Sequence, residues 1–164
     1  MKTISWNCRG LGSPRAVRAL TRLLRSENPL VVFLMETKLK KEELLVLKRK
    51  LIFKFYATVD CRGIGRDRAG GINLWWNDLT EVQVTSYSQN HIAGLYQQED
   101  DDRPWHFAGV YGFPEEENKK ETWKLVQALY EEGGDQMIFF GDFNNISSTA
   151  DKLGGLCKSG SQLN

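Results

Sequence analysis

Asn7, Glu36, Tyr111, Asp142 and Asn144 are residues whose types could together act on a phosphoester. Magnesium is a hard cation that takes oxygen ligands and keeps several waters. A protein therefore supplies one or two carboxylates and lets a substrate phosphate complete the shell. Glu36 and Asp142 could be that supply, with manganese as the alternative ion. Beside such a metal, Asn7 and Asn144 could hydrogen-bond phosphate oxygens or fix an attacking water without adding charge. Tyr111 could donate to a nonbridging oxygen. The reaction would be metal-assisted phosphodiester hydrolysis. Taken singly, each residue also reads as a turn or cap residue, because amides and carboxylates commonly close the turns after strands.

The elements around them explain how they could meet. The segment from Lys2 to Cys8 is a short strand, and Ser13-Pro14 opens a helix that ends near Asn28-Pro29, with Ser as cap and Pro at the first helical position. Leu30 to Met35 is a continuous apolar run, read as a strand buried on both faces that delivers Glu36 at its carboxyl end. A second amphipathic helix is expected over Lys41 to Leu51, with Leu44, Leu47 and Leu51 on one face. Phe53, Phe55, Ala57 and Val59 then alternate with polar neighbours, as in a strand with one buried face.

Cys61 to Gly71, rich in Gly and Arg, reads as a loop. Ile72–Trp76, Glu81–Ser88 and His91–Gln98 follow as strands separated by short turns and are expected to form an antiparallel meander. After the acidic turn at Asp100-Asp101-Asp102, Trp105 to Tyr111 is another strand. Gly112-Phe113-Pro114 breaks it, and a helix runs to Glu132 with Trp123, Val126, Leu129 and Tyr130 as its core face. Met137 to Phe140 is a last strand, leading into Gly141-Asp142-Phe143-Asn144; no periodic element is evident from Ile146 to Asn164. The order implies an α/β (α+β) layered domain spanning residues 1–164, with helices outside a mixed or antiparallel sheet. Asn7, Glu36, Tyr111, Asp142 and Asn144 all fall at or just past strand carboxyl ends, where residues distant in sequence converge.

Bulk properties bound the partners. The 164 residues are 41% hydrophobic, enough for one buried core. Lacking a run of about 18 apolar residues and a signal-peptide pattern, the chain is expected to be intracellular, with the nucleus among its compartments and no membrane partner. Cys8, Cys61 and Cys157 match neither a disulfide framework nor a zinc pattern. The net charge of +1 hides an asymmetry: residues 1–70 hold 16 Lys and Arg against 6 Asp and Glu, leaving 6 against 15 in the remainder. Arg15, Arg18, Arg22 and Arg25 form one stripe at helical spacing, which suits phosphates and equally suits a solvated helix face. Arg9, Arg15 and Arg18 are the candidate substrate contacts. Gly10-Leu11-Gly12 fails as a dinucleotide fingerprint because position 15 is Arg rather than the third Gly.

Four segments carry a resemblance: Ser5-Trp6-Asn7-Cys8-Arg9-Gly10-Leu11, Met35-Glu36-Thr37-Lys38, Val110-Tyr111-Gly112 and Gly141-Asp142-Phe143-Asn144. In type and order they resemble successive motifs of the endonuclease/exonuclease/phosphatase family, most specifically in Gly-Asp-Phe-Asn. Gly70-Gly71 and Asp151-Lys152-Leu153-Gly154-Gly155 are similar to the apurinic-endonuclease-like domain of plant LINE-type (non-LTR) retrotransposon polyproteins. The resemblance implies a four-layer α/β sandwich of the deoxyribonuclease-I-like type, incomplete at the C-terminus. It implies a magnesium-dependent hydrolase that nicks DNA, with a reverse transcriptase domain in the parent polyprotein. Glu36 and Asn7 would serve the metal, Tyr111 the phosphate, and Asp142 the attacking water, with Asn144 beside it.

The departures are specific. The chain has no counterpart of the family's terminal Ser-Asp-His-type segment, so hydrolysis is expected to be weak or absent. His91 and His106 lie on or beside strands and read as structural. Tyr111-Gly112-Phe113-Pro114 also differs from branches with Pro two residues after the Tyr. An inactive or nucleic-acid-binding remnant and a phosphatase on a non-nucleic-acid phosphoester stay open as alternatives.

Overall fold

Residues 2–98 and 102–145 are described in the computed structural model; the Asp151–Gly155 motif, Cys157 and most of the acidic turn lie outside them. The first strand, β1 (Thr3–Asn7), is followed by α1 (Pro14–Glu27). Ser13 caps that helix, its Oγ accepting from the Ala16 N–H at 3.2 Å. Asn28 ends it in the left-handed region at φ 44°, its N–H donating to the Leu24 carbonyl. Leu20 and Leu24 are buried and Val17 packs beside them, while Arg15, Arg18, Arg22 and Arg25 face outward. This crossover brings β2 (Val31–Met35) alongside β1 in parallel, with Asn7 opposite Met35.

α2 (Lys41–Lys50), β3 (Phe55–Val59) and β4 (Ile72–Trp76) complete the first layer pair, with strands in the order β1-β2-β4-β3. The second sheet contains β5 (Glu81–Tyr87), β6 (His91–Gln97), β7 (Trp105–Tyr111) and β8 (Met137–Asp142), in that order. Between β7 and β8 lies α3 (Lys119–Gly133). The parallel β7–β8 pairing puts Tyr111 opposite Asp142.

Three apolar clusters define the layers. Leu20, Leu24, Leu44 and Trp75 pack α1 and α2 onto the outer face of the first sheet. Phe33, Leu74, Ile92 and Phe107, with Phe140, fill the space between the sheets. Leu129, Leu125 and Val126 seat α3 on the outside of the second. Burying each such Leu or Phe stabilises the fold by roughly 1.5–3 kcal/mol. The result is the layered α/β sandwich expected from the sequence.

Three local expectations need correction. β4 does not join β5 and β6 in a meander; it pairs antiparallel with β2 and β3 in the other sheet. Every residue of β4 is buried, so it suits a central position covered on both faces, and the turn after Trp76 carries the chain across to the second sheet. The core face of α3 is Thr122, Leu125, Val126 and Leu129; Trp123 and Tyr130 flank it at 48% and 49% exposure. Trp123 instead stacks on Phe143 at 6.0 Å. Phe55, assigned to a buried face, is half exposed at the start of edge strand β3, where it stacks on Trp76.

Candidate active site

Parallel pairing on both sides of the sandwich sends the C-terminal ends of β1, β2, β7 and β8 to one rim. In β1, Ile4 and Trp6 pack toward the helices, so Asn7 points between the sheets. Asp142 shares the face of Ile138 and Phe140 and points inward from the other sheet. The two meet: Asn7 Nδ2 donates to Asp142 Oδ2 at 2.9 Å, a contact between residues 135 positions apart. The second carboxylate oxygen, Oδ1, accepts from the Asn144 N–H at 2.9 Å. Asn144 Nδ2 donates to the Gly112 carbonyl at 2.6 Å, which ties the loop after β8 to the end of β7.

Glu36 stands on the other side of Tyr111. The Tyr111 hydroxyl donates to Glu36 Oε2 at 3.5 Å, and Lys38 Nζ lies 3.1 Å from Glu36 Oε1. Burial, and then the charges of Glu36 and Asp142, push the Tyr111 hydroxyl up to about 12. Tyr111 is thus held as a neutral donor rather than a base. Glu36 meets Tyr111 through this hydrogen bond and Asp142 lies opposite Tyr111 in the β7–β8 register, so both acids stand at the same rim.

The backbone here is unusual. Arg9, Glu36, Lys38 and Asn144 all have positive φ, between 47° and 57°, a region that non-glycine residues seldom adopt. Hydrogen bonds hold the segment: Gly10 N–H donates to the Glu36 carbonyl at 2.8 Å, and Thr37 and Lys38 donate to Gly71 and Gly70. Gly71 itself has φ +87°, and a Cβ there would lie 2.7 Å from Thr37 Oγ1. Strained residues held by their surroundings cluster where geometry serves function.

Sequence reasoning passed over three residues. Lys38 stands within a quoted motif, but its pairing to Glu36 follows from the left-handed turn. Asn90, read only as a turn residue, clamps Tyr111 twice: its carbonyl accepts from the Tyr111 N–H and its Nδ2 donates to the Tyr111 carbonyl, each at 2.8 Å. Arg62 lies in the Gly/Arg-rich loop and shares a cleft of about 340 Å³ with Glu36, Lys38, Asn90, Tyr111 and Asn144. A larger cavity, about 440 Å³, opens beside Leu24, Arg25 and Phe53 and has no carboxylate in its lining.

Arg9 enters the site only through its N–H, which donates to Asn7 Oδ1 at 3.0 Å. Arg15 and Arg18 lie on the solvent face of α1 and do not line the cleft. Both histidines are elsewhere. His91 is buried, with its ring nitrogens on Ser86 Oγ at 3.1 Å and Ser88 Oγ at 2.8 Å, and burial lowers its pKa. His106 sits near the opposite end of β7 from Tyr111.

The Endonuclease/Exonuclease/phosphatase family model matches residues 4–162. The chain belongs to that family. No curated protein matches it in sequence. Among solved structures it is similar to the human Nocturnin catalytic domain with bound sulfate, at 14% identity and TM-score 0.68 over 90% of this chain and 65% of that one. The 3′ phosphatase NExo from Neisseria, bound to a product DNA hairpin, is 16% identical with TM-score 0.62 over 92% and 60%. The endonuclease domain of TRAS1, a telomere-specific non-LTR retrotransposon, is 12% identical with TM-score 0.58 over 89% and 60%. The chain therefore spans 60–65% of the length of these structures, and it shares their fold.

Enzymes of the endonuclease/exonuclease/phosphatase family generally depend on a divalent metal. The donors at this rim, carboxylate oxygens of Glu36 and Asp142 on either side of Tyr111, are of the hard type that a cation such as magnesium takes. Among the described residues no group of three or more His, Cys, Asp and Glu is placed to hold a metal. Asn7 was expected to serve the metal. Its amide nitrogen donates to Asp142, and its oxygen accepts from the Arg9 N–H with one lone pair left over.

Proposed function

We propose that this chain carries a magnesium-dependent phosphodiesterase site acting on DNA, from a retrotransposon of the plant LINE type. The observation that carries the reading is the hydrogen bond from Asn7 to Asp142 across the two sheets, beside Tyr111 and Glu36. The similarity to a non-LTR retrotransposon endonuclease domain and to a phosphatase bound to product DNA supports the substrate class.

Glu36 would hold the ion, which when bound neutralises phosphate charge and lowers the pKa of water. Asp142, oriented through both oxygens by Asn7 and the Asn144 N–H, has lone pairs left to orient the attacking water and take its proton. As the water oxygen bonds to phosphorus, the bond to the leaving sugar oxygen breaks, and that oxygen takes a proton from solvent. Tyr111, kept protonated, would donate a hydrogen bond to a nonbridging oxygen as charge develops there.

The test is plasmid nicking by the full chain, fused to the C-terminal segment of a family member, with magnesium or with chelator. Nicking should require magnesium and fall about 10²–10⁴-fold in Asp142→Ala. Nicking that survives that substitution refutes the assignment. A second reading, nucleic-acid binding without hydrolysis, is favoured by one observation: neither histidine lines the cleft, and the His91 ring is bonded to two serines. DNA retention in chelator without nicking in magnesium would select it. An inositol phosphate tested in parallel separates nuclease from phosphatase.

A further inference from the structure

From the cleft beside Tyr111 we infer that Arg62 forms a second phosphate subsite, gripping the phosphate next to the scissile one in a nucleic-acid strand. This rests on the phosphodiesterase reading above. The cations around the cleft are not equivalent. Lys38 is paired with Glu36. Arg68 is spent on Glu43, at 2.8 and 3.0 Å, and reaches the Lys38 carbonyl at 3.3 Å. Lys40 donates to the Cys61 carbonyl at 2.6 Å. The Arg62 guanidinium, by contrast, has no hydrogen bond or ion pair among the described residues, yet it lines the same cleft as Glu36 and Tyr111.

Its main chain is nevertheless fixed. Arg62 and Ala69 exchange N–H···O bonds at 2.8 and 3.0 Å, closing the loop at its base. The preceding residue, Cys61, is buried, and its N–H donates to the Leu39 carbonyl at 3.2 Å. Gly63 makes the turn at φ +73°, where a Cβ would lie 2.3 Å from the Asp67 carbonyl oxygen. The anchored backbone keeps an exposed, unspent guanidinium beside the proposed phosphate site, and its planar fork suits two phosphate oxygens. Gln89 and Asn118 add neutral polar groups to the cleft, and Glu115 joins Glu36 as a second acid in its lining.

The experiment measures equilibrium binding of a fluorescent DNA oligonucleotide in chelator, where no hydrolysis occurs, across a series of salt concentrations. Arg62→Ala should bind about 10-fold more weakly, with a salt slope smaller by about 0.7–0.9. Arg62→Lys should restore the slope while recovering only part of the affinity. Lys124→Ala, on α3, should match the wild type. Equal affinity and slope in Arg62→Ala, or a wild type that fails to bind, overturns the subsite. Loss of magnesium-dependent nicking with the Arg62 effect intact would instead sink the hydrolytic reading alone.

Discussion

At the scale of single residues, Tyr111 is the most constrained group of the rim. An ordinary tyrosine ionises near 10, whereas burial and two neighbouring carboxylates hold this one at about 12. Below pH 10 the hydroxyl is protonated in both folded and unfolded chains. Between about 10 and 12 the unfolded chain ionises first, so stability falls as pH rises through that window. Denaturant midpoints measured across it should decline less in Tyr111→Phe than in the wild type; identical declines would remove this phenol from the account. Asn7, Glu36, Tyr111, Asp142 and Asn144 were legible in the sequence because each ends a clear strand or stands just past one. Lys38, Asn90 and Arg62 were not. Their importance arises from a left-handed turn, a hairpin tip and a closed loop, none of which leaves a periodic signal.

Elements place those residues through register. Asp142 reaches the inter-sheet space because β8 aligns Phe140 with Gly109 and Asp142 with Tyr111. A slip by one residue would turn its carboxylate toward α3. Gly141 protects the alignment: at φ +141°, a Cβ would lie 1.9 Å from the Val110 carbonyl oxygen. Gly141→Ala should therefore lower stability by roughly 1–3 kcal/mol and reduce nicking more than a remote substitution of equal cost. Thermal melts and nicking rates on one preparation check this, and an unchanged melting point would refute it. Strands and helices were readable from alternation, capping and apolar runs. The path of β4 was not, because a short run of buried residues fits either an edge of a meander or the middle of another sheet.

For the whole molecule, the sandwich keeps its basic helices, α1 and α2, on one outer layer and α3 on the other. The first 70 residues hold 16 Lys and Arg of the chain's 22, so the outer layer carrying α1 and α2 is the one a polyanion meets more favourably. No helix of the described residues is long and apolar enough to cross a membrane. The rim itself joins the layers, since Asn7 and Glu36 come from one sheet and Tyr111 and Asp142 from the other. Anything held by acids from both halves acts as a clasp across the seam. Magnesium should accordingly raise the melting temperature in proportion to the logarithm of its concentration above Kd, and Glu36→Gln should abolish the shift. A melting curve indifferent to the ion would mean that the halves close without it, and that the seam is sealed by Phe33 and its neighbours alone.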